Sequence, residues 1–341
     1  MSELSGLPFG IGSLPHTDPR AACELILTHF ARSPFWPELP RRDWRESIGV
    51  EQARGLPGFI IDAVEKHAYF DSRKDVAGDL EVFYENYLAG ENAPYGLSGG
   101  FMAGFDAMLE LLNADGRRPM VLKGQLSGPT TLGLILRDEL NKPLLYNDQA
   151  MDILVKATGM KAAWMATAMG EVCARPVVFF DEPMLQSIGS AAIPIDRSIA
   201  VDRLKELVQS VDCLTGGHCC GNTDWSILIE AGLDIIAFDA WLFSEKLTLY
   251  SEQLRGFIEG GGLLAWGIVP ASTLGVGTAV GAIYDKLMAG MELIGAKAAI
   301  PLETLIDHSL VTPSCGLGSL TEDQAGAILA ATAAVAAKLR Q

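Results

Sequence analysis

His218 and Cys220 place an imidazole and a thiol two residues apart, in Gly217-His218-Cys219-Cys220-Gly221-Asn222-Thr223, where an apolar run meets a turn. Alternate residues of an extended segment share a face, so His218 and Cys220 point together and Cys219 points away. A nitrogen and a sulfur ligand at this spacing form half of a zinc site. A further thiol stands far downstream at Cys315, in Val311-Thr312-Pro313-Ser314-Cys315-Gly316, again where a strand-like run reaches a Gly/Pro turn. Two sulfurs and one imidazole suit zinc. The competing reading is that these are ordinary buried cysteines, since cysteine is among the most buried residue types.

Elements that bring such residues together are legible as short β-like runs alternating with longer helical patterns, the signature of parallel α/β architecture. The predicted strands are 9–14, 47–50, 120–125, 177–180, 213–217, 235–238, 263–269 and 310–312. Eight strands over roughly 300 residues predict a (β/α)8 TIM barrel, and residues 1–341 are read as a single domain. The connecting helices, among them 148–172 and 321–339, carry Met, Leu and Ala stripes at helical spacing. An excursion at about 55–118, with Tyr84, Tyr87, Tyr95 and several glycines, is either a lid over the barrel mouth or a structural insertion.

In such barrels the chemistry gathers at the C-terminal strand ends, and here those ends are polar. Ser13 follows the first strand, Gln125 the third, Asp181 and Glu182 the fourth, and Asp239 the sixth. His218 and Cys220 end the fifth strand and Cys315 the eighth, so the soft ligands converge across the mouth. Hydrophobic residues make up 49% and charged residues 20% of the chain, which suffices for a large core and is too apolar for disorder. A formal net charge of −16 gives no electrostatic footprint for nucleic acid or an anionic membrane. Six cysteines, two of them adjacent, do not make a disulfide framework and predict a reducing, cytoplasmic compartment. No apolar run is long enough to span a bilayer.

Five motifs occur in order along nearly the whole chain: Ile11-Gly12-Ser13-Leu14-Pro15, Gly128-Pro129-Thr130, Phe180-Asp181-Glu182-Pro183, His218-x-Cys220 and Pro313-Ser314-Cys315-Gly316-Leu317. Together they resemble the catalytic C-terminal barrel of cobalamin-independent methionine synthase. The string from His218 to Thr223 is also similar to the zinc motif of methylcobalamin:coenzyme M methyltransferases, in the wider superfamily that includes uroporphyrinogen decarboxylase. The resemblance implies a zinc-dependent methyltransferase with His218, Cys220 and Cys315 as metal ligands and homocysteine as the thiol. It also implies Ser13 and Asp181 around the amino acid part of the substrate, with Glu51 a candidate for its amine and Gln125 and Glu182 in the same neighbourhood.

Two departures stand out. Methionine synthase supplies a glutamate as a further ligand after the His-x-Cys strand, whereas this chain has Asp239, read either as a ligand or partner of the metal or as a loop cap. The folate-holding second barrel of that enzyme has no counterpart in these residues, and the acidic charge disfavours polyglutamylated folate unless a patch such as Arg41, Arg42 and Arg45 offsets it. A methyl-corrinoid such as methylcobalamin, free or on a corrinoid protein, is therefore the expected donor. The alternatives are a zinc-free decarboxylase of the uroporphyrinogen type and a non-catalytic protein that binds zinc or thiols.

Overall fold

The computed structural model describes residues 2–97, 99–190 and 193–341. The chain opens with an extended segment and helix α1 (Pro19–His29), whose N-terminal amides are capped by Asp18. A short helix α2 (Val50–Ala53) precedes a hairpin of β1 (Phe59–Asp62) and β2 (His67–Phe70), then helices α3 (Ala77–Ala89) and α4 (Ala103–Ala114). Next come β3 (Val121–Ser127), α5 (Pro129–Ile135), a two-residue strand β4 (Arg137–Asp138) and the long α6 (Asp148–Gly170). The remaining strands are β5 (Arg175–Asp181), β6 (Leu214–Cys219), β7 (Ile235–Phe238), β8 (Leu263–Val269) and β9 (Ser309–Pro313), separated by helices.

Six of these strands form one curled parallel sheet in the order β3-β5-β6-β7-β8-β9. All seven residues of β3 and of β8 are buried, as expected when both faces of a parallel sheet are covered. One face packs on helices, and the other encloses a separate apolar cluster built from Phe9, Val121, Phe179, Ile235, Leu263 and Leu310 among others. Backbone bonds extend the sheet at both edges. Phe9 N–H donates to Val311 at 2.8 Å along β9, and Trp36 N–H donates to Lys123 at 2.8 Å along β3. These flanking segments meet through Leu14 N–H and the Glu38 carbonyl at 3.0 Å.

Six of the predicted strands coincide with strands of this sheet, and 9–14 is extended chain with isolated bridges at Pro8 and Ser13. The predicted strand 47–50 does not exist. Ser47 closes a 3-10 turn, Gly49 adopts φ +88°, outside the β region, and Val50 begins α2. Residues 34–38 pair beside β3 instead, bonding through both Pro34 and Trp36. The excursion is also divided in role. Its hairpin joins β4 through β2, whereas α4 lies in the outer helical layer against α1, where the Cys23 thiol meets the Gly104 carbonyl at 3.3 Å. Among the described residues no helix is long and apolar enough to cross a membrane.

Candidate metal and thiol site

Strand register fixes the site. Ser127 on β3 pairs with Asp181 on β5, and Asp181 pairs with His218 on β6, so three polar side chains stand at one level at the C-terminal edge of the sheet. Cys220 follows one residue beyond β6, and Cys315 follows β9 after the Pro313-Ser314 turn. The ligand atoms of His218, Cys220 and Cys315 all lie within 4.8 Å of one another. Cys219 points the other way, into the helix-facing core, where its thiol meets the Gly221 carbonyl at 3.6 Å.

His218 is buried, and neither ring nitrogen has a hydrogen-bond partner. An imidazole with two orphaned buried nitrogens is costly unless something else satisfies it. A metal held with two facing sulfurs would satisfy one of these nitrogens, and a Cys2His donor set suits zinc with a position left for substrate. The two thiols interact strongly. The facing Cys315 thiol first, and the nearby His218 imidazole second, pull Cys220 well below the usual thiol range, while the same Cys220 neighbour and burial push Cys315 up.

These three residues line a cavity of about 360 Å³ together with Ser13, Glu38 and Asp181. Ser13 stands against the loop after Cys315: Leu317 N–H donates to its carbonyl at 2.8 Å, and a Cβ on Gly316 would collide with its hydroxyl oxygen. Asp181 keeps one carboxylate oxygen buried without a partner, and burial pushes its pKa up. Glu38 faces it across the cavity and is pushed up to about 8, by burial first and by the Asp181 charge second.

Sequence reading missed Glu38, which comes from an irregular segment with no periodicity. The available signal was a single carboxylate inside Ser33-Pro34-Phe35-Trp36-Pro37-Glu38-Leu39, a stretch too apolar to leave it in water. Glu51 stands behind the cavity wall on α2, buried and with one oxygen unpartnered, and burial pushes it well above the usual carboxylate range. Gln125 lies deeper, its amide donating to the Trp36 carbonyl at 3.1 Å. Glu182 is turned away from the cavity: its carboxylate accepts from Thr130 N–H at 2.9 Å and from Thr131 N–H at 2.8 Å, holding the first turn of α5. Asp239 caps helix Ala240–Leu247 by accepting from Leu242 N–H at 2.9 Å and is not among the three clustered ligands.

Two solved structures resemble this architecture over most of its length. A methyltransferase from Methanosarcina mazei matches with a TM-score of 0.56 and 17% identity, covering 96% of this chain and 87% of that one. A protein provisionally described as the vitamin-B12 independent methionine synthase of Listeria monocytogenes matches with a TM-score of 0.57 and 13% identity, covering 94% of this chain and 86% of that one. The likeness is one of fold. No family model matches the sequence, and no curated protein does.

Proposed function

We propose that this protein transfers a methyl group to a thiol held by a zinc ion on His218, Cys220 and Cys315. The carrying observation is the convergence of these ligand atoms within 4.8 Å on the wall of a cavity, with both His218 nitrogens unpartnered. In this reading residues 7–14 and 34–38 close the six-stranded sheet into a (β/α)8 barrel, residues 1–341 act as one domain, and the 55–118 excursion shelters the mouth. Zinc lowers the pKa of a thiol bound to it, which makes that thiol nucleophilic at neutral pH.

The chain's residues bind, orient and exclude water. Glu38 and Asp181 form an acidic wall suited to an ammonium group, and the Ser13 hydroxyl can donate to a carboxylate, so homocysteine is the acceptor that fits and methionine the product. The sulfur attacks the methyl carbon, and the bond to the donor breaks with its electron pair remaining on the donor. Alignment of the two reactants is the main service of the cavity.

For the donor we propose a methyl-corrinoid, free as methylcobalamin or carried by a corrinoid protein. The basic patch available to an anionic folate tail is largely spent internally, Arg42 pairing with Glu46 at 2.6 Å and Arg45 with Asp43. The test supplies zinc-loaded protein and homocysteine with isotope-labelled methylcobalamin or methyltetrahydrofolate and measures labelled methionine. Methionine from methylcobalamin is expected. Turnover with the folate alone would overturn the donor, and purification without near-stoichiometric zinc would overturn the metal reading.

A further inference from the structure

Among the described residues no lysine or arginine lines the cavity, yet Glu38 and Asp181 stand in it together, with Glu51 behind them. A lysine reaches them from below. Lys123 on β3 is 1% exposed and points into the sheet's concave interior, above the apolar cluster that contains Val121 and Phe179. Its ammonium donates to the Ile11 carbonyl at 2.6 Å and to Gln125 Oε1 at 3.2 Å, and lies 4.5 Å from the Phe179 ring centroid. A Cβ on Gly12 would lie 2.6 Å from Gln125 Nε2 and 3.1 Å from Glu38 Oε2, so Gln125 stands between the lysine and the Glu38 carboxylate.

A lysine so deep is expensive, and a well-packed apolar side chain would commonly serve stability as well or better. The charges that favour its ammonium are those of Asp181 first and Glu38 second. Glu46, the other acid acting on Glu38, is already bonded to Arg42 and to Leu39 N–H. Two carboxylates on the cavity wall therefore share one internal cation. The set is balanced when a second cation arrives from outside.

We propose that Lys123 is a positioning residue for the substrate's cationic end: anchored to Ile11 and Gln125, it supplies the countercharge that lets Glu38 and Asp181 bind an ammonium together. It touches no substrate itself. The inference deepens the amino-thiol reading above, because it assigns the selectivity for an amine to a residue beneath the pocket. Loss of the Lys123 charge removes the cation that Glu38 and Asp181 share, so burial and mutual repulsion disfavour holding both as carboxylates.

The test measures binding by calorimetry on zinc-loaded protein without any methyl donor, using homocysteine and its desamino analogue 4-mercaptobutyrate. Wild-type protein is expected to prefer homocysteine. Lys123→Met should weaken homocysteine roughly tenfold or more while changing 4-mercaptobutyrate by less than about threefold. Lys123→Gln, which keeps a donor for the Ile11 carbonyl and loses only the charge, should behave alike and serves if the Met variant does not fold. Equal losses for both thiols, a wild-type-like Gln variant, or a wild type without preference for the amine would each overturn the role of Lys123. Methyl transfer is absent from this assay, so amine selectivity that depends on Lys123 in a protein inactive with every donor would overturn the proposed reaction and leave this inference standing.

Discussion

At the scale of single residues, alternation along a strand decides which cysteine matters. His218 and Cys220 reach the cavity while Cys219 packs outward, so Cys220→Ser and Cys315→Ser should each lose zinc, as read by metal analysis of purified protein, and Cys219→Ser should retain it. A Cys219 variant that loses its metal while Cys220→Ser keeps it would reverse the assignment. Asp181→Asn should weaken homocysteine more than 4-mercaptobutyrate, because only the former presents an ammonium to the wall; equal weakening would assign Asp181 to the metal's surroundings. The three soft ligands were legible because thiols and imidazoles at strand ends are rare and chemically loud. Glu38 was silent because it lies on chain with no period. Glu182 misled, since a carboxylate beside a strand end can face the cavity or the next helix, and the amides of α5 claimed it.

At the scale of elements, buried charges set how helices hold together. Glu182→Gln turns an acceptor toward the first turn of α5 into a group that is half donor, and should cost about 1–3 kcal/mol in denaturant unfolding with thiol affinity unchanged. Lys161 on α6 is 1% exposed, its ammonium donates to the Arg54 carbonyl over a long 3.5 Å, and burial holds it down to about 7. The unfolded lysine titrates near 10.5, so between these values the unfolded chain binds the extra proton and stability climbs with pH; below about 7 the whole penalty is present. Lys161→Met should therefore raise the melting temperature, and by more at pH 6 than at pH 9. A gain independent of pH would mean that packing alone is responsible. The central strands were legible because both of their faces are buried and they read as continuous apolar runs. The 47–50 run failed for want of length: four residues around a glycine carry too little periodicity to tell a strand from a turn, and the true edge segment, 34–38, is broken by two prolines.

At the scale of the whole molecule, a ligand that binds only the folded chain adds to stability by mass action. Free zinc at about a hundred times its dissociation constant adds about 2.7 kcal/mol, so chelation should lower the melting temperature of the wild type by several degrees and leave Cys315→Ser unmoved. An identical drop in both proteins would place the stabilising metal elsewhere. Two of the ligands are neighbours in the chain, but the last arrives only after three more strands have joined the sheet. Until β9 has docked beside β8, the nascent chain offers a metal only a histidine and a cysteine. Zinc capture at the proposed site would therefore be a closing event rather than a nucleus. Added zinc should slow unfolding and leave the rate of refolding nearly unchanged in stopped-flow measurements. If the proposed site binds zinc, a cell making this protein can build the entire scaffold before a metal ion is committed to it, and a chain stalled or cut short of Cys315 forms no trap for the metal.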